Sequence, residues 1–156
     1  YYLGEQYPLL LKKGLARKTT VFLEEDKLHI QSSDCHSDNI RAVLHAWYMK
    51  QALEVFSLRL KTVAGRADWV GDKCVPLKLR RMKRTWGNCS SRGVIKLNTH
   101  LIKAPLPIID SVIAHELCHL REMNHSKAFY ALLEQLNPNW RQDRLHLRSE
   151  GNLYLL

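Results

Sequence analysis

The stretch His115-Glu116-Leu117-Cys118-His119, followed by a further histidine at His125, narrows what this chain can become. At 3.6 residues per turn, His115 and His119 stand one turn apart on one helix face, so both rings reach a single ion. Glu116 points about 100° away from His115 around the same helix. Its carboxylate there leans over a water at the ion without being a ligand. With His125 brought back, three neutral imidazoles leave a tetrahedral ion one open position, which is the pattern of a catalytic zinc site. A structural zinc site would normally be closed by cysteine, and the chain has no Cys-x-x-Cys.

The residues around this motif predict its setting. Ile108, Ile109, Val112, Ile113, Leu117 and Leu120 recur at helical spacing, so the helix is buried, and unpartnered histidines on it would be costly. It is expected from about Pro107, a residue suited to the first helical position, to Met123. Many zinc proteases with this ligand spacing turn the chain on a glycine; Glu122 stands at that place here. Asn124 tolerates positive φ best, so the turn is assigned to it. Ser126 then caps a helix with Phe129, Leu132, Leu133 and Leu136 on its apolar face, and Asn137-Pro138 ends it. Trp140 to Leu147 reads as a last helix. Cys118 and His146 lack ligand spacing to the three histidines and are read as structural.

Upstream, Tyr7–Leu11, Thr19–Leu23 and Lys27–Ile30 are rich in β-formers and separated by Lys12-Lys13-Gly14 and Glu24-Glu25-Asp26. They predict a small antiparallel meander with His29 on its exposed face. Ser37-Asp38-Asn39 offers caps for a long helix to about Val63. Its stripe is Ile40, Val43, Leu44, Trp47, Tyr48, Ala52, Val55 and Phe56, with His45 off the stripe. After a loop to Val75, Pro76–Arg84 reads as a basic strand. Five of its seven residues from Lys78 to Arg84 are cationic. Trp86–Gly93 is turn-rich, and Gly93–Asn98 reads as the strand that returns to complete a hairpin. The basic run is either a charged edge strand guarded against aggregation or an anion-binding rim.

The sum is one α+β domain over residues 1–156: N-terminal strands (1–36), a long helix and loop (37–75), then the hairpin and metal-site helices (76–147). No apolar run approaches the ~20 residues a membrane span needs. Cys35, Cys74, Cys89 and Cys118 are scattered, as for free thiols in a reducing, cytoplasmic compartment. No signal peptide is visible, although the start at Tyr1 leaves open an earlier native beginning. The net charge of +9 favours anionic partners, nucleic acid and nucleotides among them, or is simply a soluble basic surface.

One family shares these residues. Arg84-Thr85-Trp86-Gly87-Asn88-Cys89-Ser90, Gly93–Asn98, Pro105, Ile109-Asp110, His115–Leu120, Asn124-His125-Ser126 and Phe129 together resemble the YgjP-like metallopeptidase domain, related to SprT-like proteins and minimal gluzincins. The specific part spans residues 76–147. Tyr2-Leu3-Gly4, Trp47-Tyr48 and Gln51-Ala52 are similar too. The resemblance implies a zincin-like fold, a small twisted and mostly antiparallel sheet beside a long helix, with an active-site helix and C-terminal helices. It also implies zinc held by His115, His119 and His125, with Glu116 as the base. Family members commonly show Arg-Trp-Gly-Ser-Cys-Ser, and Thr85 and Asn88 depart from that run. Most members are called peptidases by motif, and some are described as pyrophosphatases acting on uridine triphosphate.

Three chemistries therefore stand. The first is peptide hydrolysis with Glu116 as general base, Tyr130 offering an oxyanion donor and a strand edge holding the peptide. The second is phosphoanhydride hydrolysis at the same site, with Arg80, Arg81, Lys83 and Arg84 gripping phosphates. The third is a protease or binding protein associated with DNA. One zinc per chain is expected, although three imidazoles also take nickel, cobalt or iron. Oligomeric state is not legible.

Overall fold

The computed structural model describes residues 1–14, 19–71 and 73–155. Among these residues two three-stranded sheets and four α-helices make an α+β architecture. The first sheet comprises β1 (Leu9–Lys13), β2 (Thr20–Glu24) and β3 (Lys27–Ser32) in the order β1-β3-β2. Glu25 and Asp26 both take positive φ (48° and 54°), the backbone of a tight hairpin turn, so β2 and β3 pair antiparallel. β1 instead lies parallel to β3 on its other edge, and the meander expected from the sequence is absent. That makes β3 the central strand. His29, expected in solvent, is buried: Phe22 faces it across the ladder with the two rings stacked at 5.1 Å. Neither ring nitrogen of His29 has a hydrogen-bond partner among the described residues.

The long helix α1 (Ser37–Ala64) forms where the apolar spacing predicts it. Only its second half enters the core, through Ala52, Phe56, Leu60 and Val63. The expected caps at residues 37–39 are not used. His36 is the capping residue, and it makes no side-chain cap bond. Asp34 Oδ1 accepts the His36 amide, while Asn39 Nδ2 donates back to the Asp34 carbonyl.

The second sheet comprises β4 (Leu77–Arg80), β5 (Gly87–Cys89) and β6 (Ile95–Asn98) in the order β4-β6-β5. The hairpin joins β5 to β6 and not the basic strand to β6, because the tight turn falls at Ser90–Gly93. The Gly93 amide donates to Ser90 O, and Gly93 takes φ +74°. β4 runs parallel to β6. Buried Asn98 explains why the basic run leaves the sheet at Arg80. Its Nδ2 donates to Met82 O (2.8 Å) and Thr85 O (3.0 Å), folding residues 81–86 into a loop. The Asn98 Oδ1 also accepts the His100 amide and so starts a short 3-10 helix, Thr99–Lys103, that the sequence reading did not foresee.

Helix α2 (Leu106–Cys118) follows, buried on most sides, and Arg59 of α1 clasps the Asp110 carboxylate on it through two nitrogens. It ends a turn earlier than Met123, and Asn124 is not among the positive-φ residues. Overlapping single turns bring the chain round instead: Arg121 and Glu122 amides both donate to Cys118 O. Helix α3 (Lys127–Leu136) is capped by Ser126, whose Oγ accepts the Phe129 amide at 3.2 Å, as expected. Helix α4 (Trp140–Leu155) runs well past Leu147, with Gly151 and Tyr154 in the interior. No helix of the described residues is long and apolar enough to cross a membrane.

Candidate metal centre

The early end of α2 is what assembles the site. His115 projects from its last turn, His119 is the residue that caps it, and the loop to α3 returns His125 beside them. One nitrogen from each ring lies within 4.8 Å of the others. His115 Nε2 and His125 Nε2 are 3.0 Å apart. His119 Nδ1 sits 3.0 Å from the Glu122 carbonyl, so a ring N–H there is held and Nε2 keeps its lone pair. Phe129, fully buried, backs all three rings at centroid distances of 4.9, 4.7 and 4.7 Å. That shared wall sets how closely the three rings can approach one another.

Electrostatics favour ligation. Burial first, then the neighbouring rings of His119 and His125 and the charge of Arg144, push His115 down to about 4. Burial, His119 and Arg144 push His125 the same way. Neutral rings present lone pairs, which a divalent ion requires. Three imidazole donors with no thiolate suit one divalent transition metal with a position left open.

Glu116 is buried and lines a cleft of about 420 Å³ that His115 and His125 also line. Burial pushes its carboxyl up to about 7, against the pull of a main-chain hydrogen bond from Cys89. A carboxyl poised near neutrality is suited to accepting and releasing a proton. β5 packs directly on it. A β-carbon on Gly87 would lie 2.5 Å from Glu116 Oε1, so only glycine allows this approach.

The other sequence candidates are distributed unevenly. Tyr130 lines the cleft, its ring 6.2 Å from that of His125. Arg80 is exposed on β4. Lys83 and Arg84 border a separate hollow beside Gly151 and Leu155, and Arg81 borders another against α1. The cation that does line the cleft is Arg144 of α4, which sequence reasoning missed because nothing in its local spacing ties it to the histidines. Gly87 and Phe129 were visible only as members of the family's motif and of an apolar helix face.

An α+β scaffold, a helix bearing His-Glu-x-x-His and a third histidine folded back beside a buried glutamate define a metal-dependent hydrolase. The chain belongs to the YgjP-like metallopeptidase domain family, which it matches over residues 1–150. Over 56 residues it is 36% identical to a UTP pyrophosphatase of Escherichia coli (strain K12), a match that covers 36% of this chain and 34% of that protein. The chain thus aligns with about a third of that relative's length. The fold is similar to that of the metallopeptidase zymogen abylysin of Pyrococcus abyssi. There the TM-score is 0.54 and identity 21%, covering 63% of this chain and 94% of the other.

Proposed function

We propose that the protein is a zinc-dependent peptidase. The observation that carries this reading is the cleft itself, where Glu116 shares a small and mostly apolar space with His115 and His125. A zinc ion held by His115, His119 and His125 would supply Lewis acidity, making a water beside it acidic near neutral pH and polarising a carbonyl. Glu116 takes a proton from water at its carboxylate and delivers it to the departing amide nitrogen. Arg144 and Tyr130 are the donors available to an oxyanion in the cleft. β5 has β6 on one side, and among the described residues no strand covers its other edge. An extended peptide laid there by main-chain hydrogen bonds would pass Glu116, while Trp86, Val112, Leu133 and Trp140 would receive apolar side chains.

The curated relative supports a second reading, hydrolysis of a nucleoside triphosphate. The cleft's charge argues against it. A triphosphate wants several cationic forks, and Arg144 is the one Arg or Lys among the described residues that line the cleft. The deciding experiment loads the protein with zinc and offers a peptide library and a nucleoside triphosphate panel, with Glu116→Gln as the blank. Peptide cleavage that vanishes in the blank supports the first reading. Pyrophosphate release that vanishes in it replaces the first by the second. All four cysteines are free, which supports a reducing compartment such as the cytoplasm.

A further inference from the structure

Arg81, set aside by the metal cleft, belongs to a different cavity. A hollow of about 640 Å³ opens between the first half of α1 and the 3-10 helix, lined by Arg41, His45, Tyr48, Arg81, Thr99, His100 and Lys103, among others. Its volume is that of a small-molecule site. Arg41 and Arg81 stand exposed, while Lys103 and Thr99 are buried. Among the described residues no acidic side chain lines the hollow. Neither arginine belongs to an ion pair among those residues.

Two observations show that this is more than a basic stretch of surface. The Thr99 hydroxyl, in a residue only 4% exposed, has no hydrogen-bond partner among the described residues. Buried hydroxyls are normally satisfied, and an orphan beside a cavity marks a donor waiting for a ligand. Positive groups are also crowded inward. Lys103 Nζ lies 5.2 Å from the Tyr48 ring centroid, and burial, then Arg81, lowers its pKa. Burial lowers His100 as well, followed by the charges of Lys103 and Arg81. Gathering like charges into one concavity costs free energy that an anion would recover. Guanidinium forks, a hydroxyl and imidazole N–H groups together match the oxygens of a phosphate.

We propose that this hollow is a second ligand site, separate from the metal cleft, that binds the phosphate groups of a small molecule. Arg41 and Arg81 grip the phosphate from the rim, and Thr99 donates its hydroxyl from below. The site does not depend on the peptidase reading, since it shares no lining residue with the cleft.

The test follows the ring signals of His45 and His100 by NMR in the zinc-loaded protein, titrated with inorganic phosphate and, separately, with UTP. Saturable shifts are expected with at least one probe. A double Arg41→Ala, Arg81→Ala variant, changed at exposed positions and so expected to fold, should weaken that binding tenfold or more. Arg92→Ala removes a charge elsewhere and should change it less than twofold. Thr99→Val should weaken it severalfold without lowering the melting temperature. UTP binding tenfold tighter than phosphate identifies a nucleotide site, and equal affinities identify free phosphate; both uphold the proposal. No saturable shift with either probe, undiminished binding in the double variant, or equal loss in Arg92→Ala overturns it. Glu116→Gln separates the two readings, because it should abolish hydrolysis and leave these shifts intact.

Discussion

Gly87 of β5 lies directly against the Glu116 side chain of α2: a β-carbon on Gly87 would meet Glu116 Oε1 at 2.5 Å and Cγ at 2.7 Å. The strand therefore sets where the carboxylate stands. In Gly87→Ala the glutamate must swing away from β5, because the strand is held by its ladder to β6. Misplacing a catalytic group by about 1 Å costs on the order of 100-fold in rate. Gly87→Ala should lose at least that in kcat while its zinc content, measured by elemental analysis, stays within twofold of wild type. Full activity in that variant would show that the carboxylate's position is unimportant.

Phe129 supports the histidines without offering them a donor. Its ring fills the space behind all three, so Phe129→Leu leaves a gap there while keeping the position apolar. Such a change should cost about 1–2 kcal/mol of stability. Supporting groups around metal ligands typically govern affinity by 10–100-fold. A competition titration with a zinc chelator should show a loss of that size in Phe129→Leu, with circular dichroism unchanged.

These two positions also show how far the sequence could be read. The three converging histidines, the glutamate beside them, the long helix and the Ser126 cap follow from local rules: helical spacing and a capping side chain. Gly87 and Phe129 matter through contacts between elements, and no local pattern encodes them. The same holds for sheet order. The alternation in Lys27–Ile30 identifies a strand, but it is the parallel arrival of β1 that makes that strand central and buries His29. Asn98 is the clearest case. A single buried amide tying Met82, Thr85 and His100 turns a basic strand into a loop and carries Arg81 away from the metal cleft.

Arg144 contributes positive charge to the cleft, where it already disfavours protonation of His115 and His125. The same charge repels a divalent cation, so Arg144→Ala should bind zinc at least as tightly as wild type. Any loss of activity in that variant is then a loss of substrate or oxyanion stabilisation. Removing one such donor costs about 100-fold or more in kcat. Arg144→Lys should recover only part of the loss, because an ammonium lacks the planar fork. Steady-state kinetics with the best peptide from the library checks both variants; wild-type kcat in Arg144→Ala would remove it from the mechanism.

Tyr48 links stability to alkaline pH. Its hydroxyl donates to the Tyr1 carbonyl at 2.6 Å, and burial pushes its pKa up to about 12 from an ordinary value of 10. The folded state thus keeps this proton where the unfolded chain releases it. The resulting stability is fully present below pH 10 and declines as pH rises toward 12. Over that window the decline amounts to about 2 kcal/mol, each pKa unit being worth about 1.4. Tyr48→Phe loses the hydrogen bond and should be less stable by about 1 kcal/mol at pH 8. It has no phenol to ionise, so its deficit should shrink steadily above pH 10 and vanish or reverse by pH 11. Urea unfolding of both proteins at pH 8, 10 and 11 measures this, and a deficit that grows with pH would show that some other group governs the alkaline limit.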